Sequence, residues 1–192
     1  ALPDKPQDKK EKEKKSDTIS LPYYSKSFND KSLRLRLKAK SSEQQRWGST
    51  LHQLLQFIVT ADDLEKALAK TIRMGMILPE KVDDARTDLL EILSHPQAKT
   101  WFDGSYSAVW NERSIITHTK KKNKQNAMYR PDRLLVKGDT IVVVDYKFGD
   151  EHDSYQRQIK NYMQLLADMG RWNNIEGYLY YHKTRKVELV SI

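Results

Sequence analysis

The stretch YRPDRLLVKGDTIVVVDYKFG, Tyr129–Gly149, decides the fold class of this chain. Its two apolar segments, LLV and IVVV, are separated by a Lys-Gly-Asp sequence, which predicts two antiparallel strands joined by a tight turn at Gly138-Asp139. Charged residues flank both strands: Asp132 precedes the first, and Asp145 and Lys147 end the second. Whether these charges form a site depends on the register of the two strands.

The predicted register brings the charges to one face of the sheet. Outward from the turn, Leu134 faces Val143 and Asp132 faces Asp145, with Cβ atoms about 4.5–5.5 Å apart. Lys147 lies two residues beyond Asp145 and therefore points to the same face. Like charges directly opposite each other destabilise a strand pair, so a cation is needed beside them. Either the lysine or a bound divalent ion supplies it, since Mg²⁺ binds one or two carboxylates together with water and phosphate.

An ordinary structural interpretation of the same charges stays open. In it, Asp132 pairs with Arg130 or Arg133, and Asp145 pairs with Lys147 at a sheet edge. A register shifted by one residue would also place the two aspartates on opposite faces of the sheet. The register therefore decides between a metal site and two separate ion pairs.

The rest of the chain predicts helices before the strand pair and a mixture of elements after it. Apolar residues at helical spacing predict three helices, over 42–58, 60–75 and 79–96. The second half predicts strands over 107–118, 128–136 and 140–147, a helix over 153–170, and a hairpin over 176–182 and 186–192. This order indicates an α/β fold, a mixed β-sheet flanked by helices with a helical N-terminal half.

The N-terminal segment differs in composition from the remainder. Residues 1–18 are rich in Lys, Glu, Asp and Pro, which predicts a disordered charged linker ahead of a single domain over 19–192. Within that domain, Leu33, Leu35 and Leu37 alternate with basic residues and predict a short strand or extended arm. Residues 1–40 carry a surplus of six positive charges and residues 41–192 a surplus of two. The net charge is therefore weak evidence for nucleic-acid binding by the folded part.

Composition excludes several classes of site. The chain has no cysteine, which removes disulfides, thiolate zinc sites, iron–sulfur clusters and cysteine nucleophiles, and which fits a reducing compartment. No apolar run approaches the ~18 residues of a membrane span. No G-x-x-x-x-G-K-[ST] loop is present in these 192 residues, so an ATP-driven motor would have to lie elsewhere.

Five sequence elements together resemble a known family. RPD, a 12-residue gap and DYK resemble the PD-(D/E)XK nuclease signature. Gln158 and Tyr162 match the Q-x-x-x-Y extension of RecB-like nucleases. Gly48 and His52 match their upstream G-x-x-x-H helix, and Glu112 stands where an acidic residue commonly precedes the PD strand. The order of these five elements along the chain most resembles that of the C-terminal nuclease domain of a bacterial RecB- or AddA-type helicase–nuclease.

The resemblance implies a restriction-endonuclease-like fold and a divalent-metal-dependent DNA exonuclease that hydrolyses phosphodiester bonds in recombinational repair. The implied ligands of one or two Mg²⁺ or Mn²⁺ ions are His52, Asp132, Asp145 and the backbone carbonyl of Tyr146. Lys147 is the implied catalytic cation, which positions the attacking water and offsets charge on the phosphoryl oxygens. Taken alone, a single histidine beside an apolar helical stripe would instead be assigned a structural role.

Three further residues have supporting roles in the resemblance. Gln158 and Tyr162 are implied to support the active site and the DNA strand. A glutamine on an otherwise apolar stripe also needs a polar partner, because a buried unpaired amide is costly. For Glu112, a place in the metal shell and a salt bridge to Arg113 or Arg130 remain equally open.

The expected partners follow from the same resemblance. They are DNA, as single strands or duplex ends, and a helicase in the same polypeptide or on a partner subunit, in the bacterial cytoplasm and away from membranes. Four lysines of the KKKNK segment are candidates for sequence-independent phosphate contacts, although a solvated hairpin tip is the simpler account of them: Lys120, Lys121, Lys122 and Lys124.

A second function remains as the alternative. A nuclease-like module that has lost its chemistry could bind DNA or partner subunits without cleaving anything. Silent relatives usually lack the catalytic aspartate or lysine, whereas Asp132, Asp145 and Lys147 are all present here. The sequence therefore favours the enzyme.

Overall fold

The computed structural model describes residues 43–117 and 127–191 of the chain. All of them belong to one compact unit, Ser41–Ile192. The predicted linker over 1–18, the predicted arm around Leu33–Leu37 and the lysines between 120 and 124 lie outside the described residues. Within the described part, no helix is both long enough and apolar enough to cross a membrane.

The described residues form four α-helices and seven β-strands. The helices are α1 (Glu43–Leu55), α2 (Leu64–Arg73), α3 (Val82–Ser94) and α4 (Asp153–Asp168). The strands are β1 (Ala108–Asn111), β2 (Ile115–Thr117), β3 (Ala127–Tyr129), β4 (Arg133–Lys137), β5 (Thr140–Lys147), β6 (Asn174–Tyr181) and β7 (Lys186–Val190). Short 3₁₀ turns cover Ala61–Asp63, Pro79–Lys81 and Ala98–Phe102. The fold is therefore mixed α/β, as the sequence predicts.

Five strands form one mixed sheet in the order β1-β4-β5-β6-β7. Strands β5 and β6 are parallel, and the other neighbours in this sheet are antiparallel. Helix α4 connects the parallel pair, because parallel neighbours need a crossover rather than a tight turn. Strands β2 and β3 form a separate two-stranded sheet.

Helices cover both faces of the five-stranded sheet. On β5, Val142 and Val144 pack in the cluster that contains the core residues of α1, α2 and α3. Their neighbours Ile141 and Val143 pack in the cluster that contains the core residues of α4. This alternation is the two-residue period of a strand buried on both faces. The sheet is thus the middle layer of the domain.

The predicted register of the strand pair is confirmed. Leu134 is paired with Val143, and the turn has Gly138 at a φ of 57°, a conformation that glycine adopts without steric cost. The ladder ends at the pair Arg133–Val144, so Asp132 has already left the strand when it comes level with Asp145. Asp132 therefore lies beyond the start of β4, whereas Asp145 remains within the sheet, where it is paired with Leu179 of β6.

Two strand predictions are wrong in the same way. The sequence predicts one strand over 107–118 and one over 128–136, whereas each is interrupted and becomes two. The first break falls at Glu112, which has a φ of 53°, and the second covers Arg130-Pro131-Asp132. Extended pairing cannot pass through a residue with positive φ, and proline has no N–H for a ladder bond. Both breaks coincide with residues of the candidate site.

Local signals for helix ends are confirmed. The carboxylate of Asp63 accepts a hydrogen bond from the backbone N–H of Thr60 at 2.9 Å, the reciprocal half of the predicted capping box ahead of α2. Gly170 follows α4 with a φ of 62° and ends it. Helix α1 is shorter than predicted and ends at Leu55.

Glycine at 177 permits close packing between α4 and β6. A Cβ built on Gly177 would overlap Ile159 Cγ2 and Met163 Sδ. Carbon atoms in van der Waals contact are about 3.5–4.0 Å apart, so a larger residue at 177 would push the helix outward. This close contact positions α4, which carries Gln158 and Tyr162.

Candidate metal centre and adjoining lysine

Helix α1 brings His52 to the end of the sheet. His52 lies one turn after Gly48, and Gly48 lies directly against Phe148, where an added Cβ would be 2.7 Å from Phe148 Cβ. This contact lets the helix approach the end of β5. The His52 ring packs edge-on against the Phe148 ring, with 4.9 Å between ring centroids, and its Nδ1 lies 3.4 Å from Asp132 Oδ2.

The pKa of His52 is lowered by burial, which outweighs the opposing effect of the nearby Asp145 carboxylate. Burial in a low-dielectric environment disfavours the charged imidazolium. A neutral imidazole is the form that binds metal ions, so the environment of His52 favours a ligand over an ion-pair partner.

Asp132 is held by the backbone of the neighbouring strand. Its Oδ2 accepts a hydrogen bond from the N–H of Tyr146 at 2.8 Å. Its pKa is raised well above the usual value, mainly by burial and next by the charge of Asp145. Burial and the Asp145 charge both disfavour the ionised form of Asp132, so a bound cation would stabilise that form.

Glu112 completes a cluster of three candidate ligands. One ligand atom each from His52, Glu112 and Asp132 lies within 4.8 Å of the others. The Glu112 N–H donates to the carbonyl of Asp132 at 2.9 Å, which fixes the two breaks in the strands against each other. Burial raises the pKa of Glu112, and its Oε2 also pairs with Nε of Arg130 at 2.7 Å. Of the two roles left open by the sequence, the salt bridge to Arg130 is present, and a place in the metal shell stays a prediction.

The chemistry of this donor set fits a divalent metal ion. Two carboxylates and one imidazole offer oxygen and nitrogen ligands, a set used by Mg²⁺, Mn²⁺ and their neighbours in the first transition row. The left-handed φ of Glu112 is a strained conformation for a residue with a side chain, and such strain is concentrated at functional sites.

Asp145 lies beside this cluster but not within it. Its side chain is 3% exposed and forms an ion pair with Nζ of Lys147, whose side chain is 14% exposed. The Asp145 Oδ2 atom is buried and receives no hydrogen bond of regular geometry from the residues that the structure describes. The ordinary pairing of Asp145 with Lys147 is thus present, and the predicted place of Asp145 among the metal ligands stays a prediction.

A chain of hydrogen bonds holds Lys147 from the side of α4. Lys147 Nζ donates to Gln158 Oε1 at 3.0 Å, and Gln158 Nε2 donates to the hydroxyl of Tyr162 at 2.7 Å. The predicted need of Gln158 for a polar partner is therefore confirmed. The ammonium group also lies 4.4 Å from the centroid of the Tyr155 ring, a cation–π distance. Tyr155 was missed by the sequence interpretation, although its spacing from Gln158 and Tyr162 places it on the same helical stripe.

The predicted role of the Tyr146 carbonyl depends on the direction of its backbone. The side chain of Tyr146 is buried in the core against the N-terminal helices. Its N–H points towards Asp132. In an antiparallel strand the N–H and carbonyl of one residue lie on the same side, so the Tyr146 carbonyl faces the same region. Its ligand role stays a prediction.

Arg133 is the second residue that the sequence interpretation missed. It does not pair with Asp132; its guanidinium is buried and donates to the carbonyls of Ile58, Val59 and Trp101 at 2.6–2.8 Å. Two of these carbonyls belong to the segment that follows α1, and the buried guanidinium and these acceptors satisfy each other's hydrogen bonds. An arginine within an apolar strand was the available signal, because a buried charge must find partners. Arg133 thus ties the His52 helix to the strand that follows Asp132.

A second group of acidic and histidine residues lies on the other side of Phe148. It consists of Asp88, Glu91 and His182. Asp88 accepts a hydrogen bond from Nε1 of Trp47 at 2.6 Å, and Glu91 pairs with Arg185. These contacts join the group to Trp47 and Arg185 in a network of charged and polar side chains.

Comparison with protein-family models gives no match, and neither does comparison with curated proteins.

Proposed function

We propose that this domain is a divalent-metal-dependent nuclease that hydrolyses phosphodiester bonds in DNA. One observation carries the proposal: one ligand atom each from His52, Glu112 and Asp132, on three separate segments, lies within 4.8 Å of the others, beside the half-buried Lys147. A metal site next to an ammonium group is suited to a reaction in which negative charge develops on phosphoryl oxygens.

The candidate ligands are His52, Glu112 and Asp132, with Asp145 and the Tyr146 carbonyl at the edge of the same region. A bound Mg²⁺ or Mn²⁺ would lower the pKa of its water and neutralise the phosphate that is attacked. The carboxylate of Asp132 is oriented by the protein itself, because it accepts a hydrogen bond from the N–H of Tyr146. This second layer of contacts keeps ligands in place before an ion binds.

Lys147 is assigned to the reacting phosphate. Its ammonium group is oriented by Asp145 on one side and by Gln158 on the other. In hydrolysis, water forms a bond to phosphorus, the ester P–O bond breaks, and the departing oxygen takes up a proton. The ammonium group stabilises the charge that accumulates on the phosphoryl oxygens while these bonds exchange.

The sequence resemblance extends the proposal to a restriction-endonuclease-like, RecB-like exonuclease. A mixed five-stranded sheet, with β5 carrying the DYK segment and α4 carrying Gln158 and Tyr162, is consistent with that class. In this proposal the domain works in the bacterial cytoplasm with a helicase that delivers DNA strands. The intact set of Asp132, Asp145 and Lys147 weighs against a silent binding module.

Digestion of single-stranded DNA with Mg²⁺ or Mn²⁺ tests the proposal. We expect cleavage by the wild type that stops with a chelator and falls by at least ~100-fold in Asp132→Asn and Lys147→Met, because removing one stabilising group costs about 10²–10³-fold. Lys137→Met is the matched control, since Lys137 is an exposed lysine at the far end of β4. No metal-dependent cleavage by the wild type, or full activity in both site variants, would refute the enzyme.

A further inference from the structure

The group of Asp88, Glu91 and His182 joins helix α3 to the end of β6. One ligand atom from each of the three residues lies within 4.8 Å of the others. Asp88 and Glu91 are three residues apart on α3, so their side chains project from the same face of the helix. His182 directly follows β6, and its Nε2 lies 3.4 Å from Asp88 Oδ1. Donor atoms from the helical layer and from the sheet thus meet at one place.

The two carboxylates of this group are oriented by neighbouring residues, and each keeps one oxygen for a further ligand. Nε1 of Trp47 donates to Asp88 Oδ2 at 2.6 Å, which leaves Oδ1 on the side of His182. Arg185 donates to Oε1 of Glu91, so the second oxygen of that carboxylate remains. Hydrogen bonds made to ligands by the residues behind them are the contacts that orient a metal site.

The imidazole of His182 is also held in place. Its side chain is 17% exposed, and its ring packs against the Phe148 ring with 5.4 Å between centroids. The N–H of His182 donates to the carbonyl of Lys147 at 2.9 Å. Nε2 is the ring nitrogen on the side of Asp88. A neutral imidazole fixed in this way can bind a metal ion without a large loss of side-chain entropy.

The hydroxyl of Tyr180 faces the same group and has no hydrogen-bond partner among the residues that the structure describes. Tyr180 is fully buried on the face of β6 that packs against the N-terminal helices, and its ring contacts that of His95 at the end of α3. Burial raises the pKa of this hydroxyl most, and the carboxylates of Glu91 and Asp88 raise it further. A buried hydroxyl without a partner is costly. Water on a metal ion held by the group would supply the missing partner.

The donor set suits an ion of the first transition row. Imidazole nitrogen and carboxylate oxygen bind these ions with affinities that rise from Mn²⁺ towards Cu²⁺, and Zn²⁺ lies well above Mn²⁺. Zn²⁺ takes four ligands, and where the protein supplies three, water occupies the fourth position. Zn²⁺ is therefore the ion with which this group is best probed.

We infer that Asp88, Glu91 and His182 form a metal site separate from the candidate metal centre, which binds Zn²⁺ or a similar first-row ion and fastens α3 to the end of β6. The inference goes beyond the proposed nuclease function and does not depend on it. The ligands come from segments far apart in the sequence, so the ion binds the folded chain in preference to the unfolded chain and stabilises it.

Zn²⁺ binding to the full 192-residue chain, measured by competition with a chromogenic chelator, tests this inference. The double substitution His52→Ala/Asp132→Asn first removes the candidate metal centre. We expect this variant to bind one Zn²⁺ ion and to gain Tm when the ion binds. Adding Asp88→Asn or Glu91→Gln, which keep the shape of the side chain, should weaken Zn²⁺ binding by at least ~10- to 100-fold. Even contacts behind the ligands change metal affinity by that much.

Asp84→Asn is the matched control, because Asp84 lies one turn before Asp88 on α3, is 57% exposed and pairs with Lys81. It should leave Zn²⁺ affinity unchanged, and thermal melts in chelator show whether each variant is folded. If the double variant does not fold, the comparison is made in the wild type, where Asp88→Asn and Glu91→Gln must each remove one bound Zn²⁺ ion.

Three results would overturn the inference: no Zn²⁺ bound by the folded double variant, unchanged affinity after Asp88→Asn and Glu91→Gln, or equal weakening by Asp84→Asn. None of them bears on the nuclease, because DNA cleavage with Mg²⁺ or Mn²⁺ is a separate measurement. The failure of either proposal is therefore recognised without reference to the other.

Discussion

Substitution of Gly48 by alanine separates the packing of α1 from the chemistry of its histidine. Gly48 is buried in the middle of α1, and the new methyl group would lie 2.7 Å from Phe148 Cβ and 3.4 Å from Phe148 Cγ. A Cβ atom is fixed to the backbone, so Phe148 cannot rotate out of the way. Helix α1 must instead move away from the end of β5.

The size of that movement follows from the contact distance. Carbon atoms pack at about 3.5–4.0 Å, so helix and strand must separate by roughly 1 Å. Overpacking of this kind costs about 1–3 kcal/mol, and alanine in place of glycine recovers about 0.5–1 kcal/mol of helix propensity. We expect Gly48→Ala to lower the free energy of unfolding by roughly 0.5–2 kcal/mol.

The effect on metal binding is expected to be larger than the effect on stability. His52 lies one turn beyond Gly48 on the same face of α1, so it moves with the helix. Metal–ligand distances tolerate only about ±0.2 Å, and a misplacement of about 1 Å at a site can reduce a rate by ~100-fold. We expect a loss of this order in kcat/KM, together with weaker Mn²⁺ binding.

Mn²⁺ titration followed by electron paramagnetic resonance measures the loss of binding, and thermal melts show that the variant is folded. Thr50→Ala is the control, because Thr50 lies in the same helix and its hydroxyl bonds the carbonyl of Arg46 at 3.1 Å. It should retain both Mn²⁺ affinity and activity. Wild-type Mn²⁺ affinity in folded Gly48→Ala would show that the close contact with Phe148 does not position His52.

Three further predictions concern charge and packing. The raised pKa of Asp132 means that the folded protein loses stability as pH rises through that pKa. Asp132→Asn should therefore raise Tm at pH 7 when a chelator removes metal ions. Mn²⁺ at 100 times its Kd should stabilise the wild type by ~2.7 kcal/mol but should not stabilise Asp132→Asn. Its failure to raise Tm would contradict the electrostatic argument. Gly177→Ala should lower the unfolding free energy by about 1–3 kcal/mol in denaturant melts, because its methyl group overlaps Ile159 and Met163. Its Mn²⁺ affinity should be unchanged, which distinguishes it from Gly48→Ala. Burial raises the pKa of Tyr180 to about 12. The protonated hydroxyl therefore contributes fully to the stability of the folded protein below about pH 10, and this contribution is lost as pH rises through about 12. Tyr180→Phe should make the unfolding free energy depend less on pH in this range, and an unchanged pH dependence would refute this assignment.

Much of the fold followed from local patterns. The apolar alternation of β5, the Gly138 turn and the glycine after α4 are short-range features, and the structure has them where the sequence predicts them. Their success has a physical cause: turn geometry and the two-residue period of a strand depend on neighbouring residues alone.

The two broken strands were missed because their breaks are stabilised by distant contacts. The sequence around Glu112 reads as one extended segment, since Trp110 and Ile115 both suit a strand. The left-handed conformation of Glu112 is held by its N–H bond to the carbonyl of Asp132, 20 residues away in sequence. Tertiary contacts of this kind override local propensity.

The candidate site divides in the same way. The sequence by itself determined which residue types are present and, through the register, that Asp132 and Asp145 come level with each other. Only the tertiary structure decided that Glu112 joins His52 and Asp132 while Asp145 pairs with Lys147, and that Arg133 secures the end of the histidine helix. The physical reason is that a strand pair specifies its own register, whereas the meeting of a helix, a strand break and a sheet end depends on how all the layers pack.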